Sequence, residues 1–186
     1  MSMRIVLELS DNDLKHFRQL ARQAMNASQQ ASEEQIIAGA KKLIGEIDSS
    51  SPSDFIKEKL EIVHVMIDML GDEGWGMQEI GRKRIRAALA YFNQPEDLIP
   101  DHIPGIGFLD DAIMIELLAR ELKPEIDAYR DFIKYRAAEA RRLNKDPAEL
   151  NRGEYLKARE KELLSRMRRR RRSGSSRSGK SPFSLF

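Results

Sequence analysis

No cysteine occurs anywhere in the 186 residues of the chain. Disulfides and cysteine-ligated metal sites are therefore excluded, and the composition suits a reducing compartment. Only three histidines are present and none are paired, so a zinc-like ligand set has no foundation. Long apolar runs are missing too. The most apolar stretch, AIMIELLA at 112–119, is interrupted by Glu116 and is far short of the roughly 20 residues that span a bilayer. The opening MSMRIVLELSDND lacks the basic segment, apolar run and small-residue cleavage site of a secretory leader. A cytoplasmic location is expected, with peripheral attachment to a membrane left open.

Enzyme signatures are equally sparse. GIGF at 105–108 lacks the long glycine-rich sequence ending in lysine and a hydroxyl residue that makes a phosphate loop. The serines at 49–51 sit in a linker with no associated base, and His64, inside IVHVMI, reads as an ordinary helix histidine.

What is present is charge, unevenly placed. Residues 141–186 hold 15 lysines and arginines against 5 acids, whereas the first 140 residues hold 17 against 25. An acidic body thus carries a positive tail. Such a tail seeks phosphate, an acidic membrane surface or an acidic protein, or docks on its own body.

Helical periodicity dominates the body. Ser10 is placed to cap a first helix, with Asp13 at its third position and Leu9 set to staple onto Leu14. Leu14, Phe17, Leu20, Ala21 and Ala24 form its apolar stripe. Ser32 and Gln35 make a reciprocal cap for a second helix, which buries Ile36, Ile37, Ala40, Leu43, Ile44 and Ile47. Ser51-Pro52 reads as a cap followed by a first-turn proline, and Phe55, Ile56, Leu60, Val63, Ile67 and Leu70 continue inward. GDEGWG at 71–76 stops that helix, with Trp75 as a core anchor.

A fourth helix over 77–92 places Ile80, Ile85, Leu89 and Phe92 inward. Its other face carries Arg82, Lys83, Arg84 and Arg86, either a solvated surface or a phosphate-facing patch. The segment 111–122 reads as the most enclosed helix, and Pro124 suits the first turn of the next, which presents Ile126, Tyr129, Phe132 and Ile133. A boundary falls at 144–147. Beyond it, a helix over 147–170 has a thinner stripe of Leu150, Leu156, Leu163, Leu164 and Met167. The polar segment from Ser173 onward buries too little apolar surface to offset chain entropy and should be disordered.

These readings predict an all-α protein. Residues 1–9 are an N-terminal arm or a short strand (RIVLEL at 4–9), which as a strand would pair with its copy in a homodimer. Residues 10–143 are a helical domain, 147–172 a basic helix, and 173–186 a disordered tail with an apolar terminus.

The stretch PEDLIPDHIPGIGFLDDA, at 95–112, stands apart. Pro100 and Pro104 restrict the backbone, Gly105 and Gly107 tolerate turns, and Ile99, Ile103, Ile106, Phe108 and Leu109 are anchors. Asp110 is placed to cap the helix beginning at Asp111, while Asp97 and Asp101 satisfy loop amides. An alternative brings Asp97, Asp101, Asp110 and Asp111 together, with Glu116, on a hard cation such as Mg²⁺ or Mn²⁺ serving a hydrolase. Their spacing is not that of an EF-hand, and His102 is the only neighbour that normally titrates near neutrality.

Asp97, Leu98, Ile99, Pro100, Asp101, Ile103, Pro104, Gly107, Asp110 and Asp111, in that order, resemble the core of the YkvA-like family, a bacterial domain family of unknown function. The resemblance covers roughly residues 86–122. It implies a compact helical element, sometimes found near membranes, and transfers no reaction.

The tail supplies the partner reading. Arg168, Arg169, Arg170, Arg171 and Arg172, with Arg177 and Lys180, suit salt-dependent binding to the phosphate backbone of DNA or RNA, without an aromatic RNA motif or a recognition helix. Phe183, Leu185 and Phe186 end the chain as an apolar anchor on a polar tether. PFSLF resembles the bacterial sliding-clamp-binding peptide, with Pro182 where that peptide has glutamine. The sequence therefore favours a nonenzymatic, nucleic-acid-associated adaptor over a metal-dependent hydrolase or a membrane-surface interaction protein.

Overall fold

Short-range hydrogen bonds set the helix starts. In the computed structural model, which describes residue 6 and residues 8–27, 30–50, 52–93, 99 and 107–175, the Ser10 amide and hydroxyl both donate to Asp13 Oδ2, at 2.8 and 2.7 Å. This closes the start of α1 (Asp11–Ala27). Ser32 and Gln35 form the expected reciprocal box at the start of α2 (Glu33–Ser49). For α3 (Asp54–Gly71) the cap is Ser53, whose hydroxyl accepts from the Ile56 amide; the Ser51-Pro52 reading is displaced by two residues. A serine followed by an acidic residue starts this helix without needing proline in its first turn.

The later elements are α4 (Glu79–Leu89), a 3₁₀ turn at Ala90–Asn93, α5 (Leu109–Glu121), α6 (Lys123–Leu143), a 3₁₀ turn at Pro147–Glu149 and α7 (Arg152–Ser175). All regular structure among the described residues is helical, so the fold is all-α. Of the expected N-terminal strand or arm, Val6, Glu8 and Leu9 have no regular structure, and positions 4, 5 and 7 lie outside the described residues.

Two compact units divide the chain. The first comprises Met1–Asp72 with Met77–Tyr129, and the second Glu73–Gly76 with Arg130–Phe186, so the division passes through α6. In the first unit, α3 packs on α5 and also on α4, while the 3₁₀ turn at Ala90–Asn93 meets α1, α2 and α4. Its interior contains Phe17, Ile47, Val63, Met66, Met69, Ile85, Leu89, Met114 and Ile115. The inward faces of α1 and α2 follow the predicted stripes. On α3, Met66 and Met69 take core positions beside the predicted Val63 and Leu70, whereas Phe55 is partly exposed. Ile80, predicted inward, is 77% exposed, because at about 100° per residue it lies on the opposite side of α4 from the buried Ile85 and Leu89.

The second unit is built on aromatic rings. Trp75 lies 5.2 Å from Phe132 and Phe132 lies 5.8 Å from Tyr155, centroid to centroid. The Arg152 guanidinium covers the indole at 4.4 Å, and the Arg152 amide donates to the Gly74 carbonyl at 2.8 Å. Trp75 is therefore a buried anchor, as its setting in GDEGWG predicted. Gly76, with φ of 50°, supplies the left-handed turn that lets the chain leave this anchor. Asn144, at φ 52°, ends α6 in the same backbone region, which asparagine tolerates. Asn151 and Glu154 exchange amide-to-side-chain hydrogen bonds of 3.1 and 3.2 Å, so α7 starts at Arg152, later than the predicted 147.

Candidate functional site

Two places carry the residues singled out from sequence. The first is the start of α5. Leu109 is its first helical residue, so Asp110 and Asp111 sit within the first turn, where the helix dipole favours negative charge. Asp110 is consequently not the cap. Instead its Oδ2 accepts a hydrogen bond from the Ile99 amide at 3.1 Å. This tethers a loop residue to the helix start across eleven positions. Both carboxylates are buried, at 3% and 6% exposure. Phe108, the residue before the helix, adopts a left-handed backbone with φ of 63° while its ring is buried. A non-glycine residue in that region costs on the order of 1–2 kcal/mol, and the buried ring offsets this.

Asp97 and Asp101 of the proposed cation site lie outside the described residues, as does His102. Among the described residues, no cluster of three or more histidines or acids is arranged to hold a metal ion. Glu116, the fifth acid of that reading, is engaged elsewhere. It binds Lys59 of α3 at 3.0 Å and Arg120 one turn on at 2.8 Å. Lys59 also meets Glu58 at 3.0 Å and is nearly enclosed, so the Lys59–Glu116 pair fastens α3 to α5.

Burial opposes charge on both partners, yet the opposing hydrogen bonds prevail. Those from Arg120 and Lys59 hold the Glu116 carboxyl below its ordinary value, while those to Glu116 and Glu58 raise Lys59 above its own. A carboxyl depressed in the folded state stabilises above its unfolded value and loses that contribution as pH falls through the folded one. A raised lysine stabilises below its unfolded value and loses the contribution as pH rises through the folded one. The pair is thus fully effective between the ordinary glutamate and lysine ranges. Glu116→Gln should cost about 1 kcal/mol in urea unfolding at neutral pH, and the difference from wild type should shrink in acid. A pH-independent difference would rule out this role.

The basic face of α4 is not an open phosphate patch. Arg82 pairs with Glu33 and donates to the Leu70 carbonyl at 2.9 Å. Arg84 pairs with Glu125 and donates to the Glu121 carbonyl at 3.0 Å. Arg86 donates to the Ala31 carbonyl at 3.2 Å and approaches Glu33 at 3.9 Å. These arginines tie α4 to α2, α3, α5 and α6 within the first unit. Lys83 remains exposed.

The second place is α7. Its first turns pack through Tyr155, which contacts Phe132 and Tyr135. Arg159 spans Asp131 at 3.8 Å and Glu162 at 2.9 Å, and Arg166 joins Glu162 from the following turn. The hydrogen bond from Arg159, with the nearby charge of Arg166, holds the Glu162 carboxyl below its ordinary value. Beyond this ladder every residue from 163 to 169 is exposed.

Arg168 and Arg169 are therefore open to solvent, and α7 continues to Ser175, past Arg170, Arg171 and Arg172. Arg177, Lys180, Phe183, Leu185 and Phe186 lie outside the described residues, and so does the clamp-like peptide. The predicted core stripe on this helix is overturned in part. Leu150 is buried, but Leu156, Leu163, Leu164 and Met167 are 51%, 59%, 47% and 52% exposed. Their spacing repeats as a packed helix would, but past Tyr155 none of the described residues covers that face. The available sequence signal was the charge surrounding them, which leaves no second apolar edge to complete a core face.

The comparisons bear on the first of these places. A model described as "Protein of unknown function (DUF1232)" matches residues 84–117, from within α4 to within α5. The chain is 32% identical over 79 residues to the "Uncharacterized membrane protein YkvA" of Bacillus subtilis (strain 168), an alignment covering 39% of this chain and 73% of that protein. No solved structure matches. Among the described residues, no helix is long and apolar enough to cross a membrane. The ordered acidic motif, its tether from Ile99 to Asp110 and this extent of identity lead to one conclusion: the chain belongs to the DUF1232, YkvA-like family.

Proposed function

We propose that the protein is a nonenzymatic adaptor that holds phosphate-bearing polyanions on the arginine-rich end of α7, with the helical body as its second interaction surface. The exposure of Arg168 and Arg169, next to the run that continues through Arg172, carries this reading. The contrast with α4 supports it, because the α4 arginines are committed to carboxylates and carbonyls within the fold. Consecutive guanidiniums neutralise phosphates without reading bases. Nucleic-acid backbone and lipid headgroups offer this same chemistry.

Labelled DNA, labelled RNA and anionic vesicles titrated at several salt concentrations test the proposal. The wild-type chain is compared with a full-length variant carrying Arg168→Gln, Arg169→Gln, Arg170→Gln, Arg171→Gln and Arg172→Gln. Glutamine keeps helix propensity close to that of arginine. If all five side chains meet duplex phosphates, the logarithm of affinity should fall with the logarithm of salt at a slope near −4.5, and most of that slope should vanish in the variant. Equal affinity of the two chains for every polyanion would defeat the proposal.

A further inference from the structure

The arginine run does not by itself choose between sources of phosphate, but the apolar row beside it does. At about 100° per residue, Leu156, Leu163, Leu164 and Met167 fall within an arc of about 100° on one side of α7. The row runs for roughly 16 Å along the helix. All four side chains are about half exposed or more, and residues 163–169 are exposed around the whole circumference. Lys157, Lys161, Arg166 and Arg168 flank the row, and Arg169 lies on the opposite side of the helix. Leaving leucine and methionine in water while surrounding them with cations suits a surface that is apolar underneath and anionic on top.

Resting on the polyanion reading above, we infer that the partner of α7 is the surface of an anionic lipid bilayer. The helix lies in the plane of the interface, with Leu156, Leu163, Leu164 and Met167 among the upper acyl chains and the flanking cations at headgroup phosphates. A nucleic-acid phosphate backbone matches the arginines equally well but leaves the apolar row unsatisfied. The helix does not span. Among the described residues no helix qualifies for crossing, and this segment carries charge on every other side. One acid, Glu160, lies within the apolar arc and opposes insertion. It makes the attachment reversible and provides a second, independent test. The anchoring is local to α7, outside the family-matched residues 84–117.

Co-sedimentation of the full chain with phosphatidylglycerol-containing vesicles and with pure phosphatidylcholine vesicles, near physiological salt, measures the attachment. Leu163→Gln combined with Met167→Gln should weaken binding to the anionic vesicles by at least about tenfold while leaving DNA and RNA binding at low salt unchanged. Glu160→Leu should strengthen vesicle binding several-fold and strengthen nucleic-acid binding much less. Trp75 fluorescence verifies that the second unit is folded in each variant. Unchanged vesicle affinity in both variants overturns the inference. So does equal binding to neutral vesicles, or nucleic-acid binding with no vesicle binding. A concentration-dependent dimer that the glutamine pair abolishes, with vesicle binding unaltered, assigns the row to a second copy of the chain and likewise overturns it. Each of these outcomes leaves the polyanion reading standing, which fails only if the five-arginine variant retains full affinity for every polyanion.

Discussion

Replacing Phe132 with alanine should remove about 4 kcal/mol from the stability of the second unit, the largest effect expected of any single substitution discussed for this chain. Phe132 is fully buried, contacts Trp75 and Tyr155, and receives the Arg136 guanidinium at 4.9 Å from its ring centroid. Truncation removes the ring's transfer free energy and leaves a void that two large neighbours fill poorly. Because the chain has one tryptophan and it touches Phe132, denaturant unfolding followed by intrinsic fluorescence reads this unit directly. Phe132→Leu should fall between alanine and wild type, since leucine restores volume without the edge contacts. A fluorescence midpoint unmoved by Phe132→Ala would show that the ring does not organise the unit. The consequence for function is mechanical, because Tyr155 joins the base of α7 to this cluster.

The second large effect is expected at Glu33. Its carboxylate faces both Arg82 and Arg86, and all three side chains are partly enclosed. Removing one member of a buried ion pair strands the others and costs about 3–5 kcal/mol. Here the groups retain between a fifth and a third of their exposure, so screening reduces the expected loss to about 2 kcal/mol for Glu33→Ala. Lys83→Ala, in the middle of the same basic sequence, should change stability by less than about 0.5 kcal/mol. Helical circular dichroism during urea unfolding compares the two. Equal effects would mean that the α4 arginines act only as a solvated surface. Combining Glu33→Ala with Arg82→Ala should cost less than the sum of the separate changes, because both remove the same contact.

The start of α5 shows how far a motif can be read before folding. The acids, prolines and glycines of 95–112 marked a specialised corner, and their order carried the family resemblance. Capping chemistry at Asp110 was a sound local expectation, but the helix starts at Leu109 and Asp110 reaches Ile99 instead. The hydrogen-bonding capacity of a carboxylate is written in the residue; the amide that uses it is chosen by how the loop returns. Glu116 gives the same lesson. It belonged to the cation reading by composition, and packing of α3 on α5 delivered Lys59 to it.

Local structure was determined by sequence alone wherever the partners lie within one helical turn. Ser10 with Asp13, and Ser32 with Gln35, close caps three residues long, and the buried faces of α1 and α2 follow from the helical period. The positive end of the chain was also explicit, since consecutive arginines need no fold to be adjacent. Tertiary structure decided everything that depends on what lies opposite a helix face. It turned Arg82, Arg84 and Arg86 from an ambiguous basic surface into internal clamps, because their acceptors are contributed by distant elements. It left Leu156, Leu163, Leu164 and Met167 in solvent although their spacing resembles a core stripe. Periodicity specifies which side chains share a face; only the placement of other elements specifies whether that face meets protein or water.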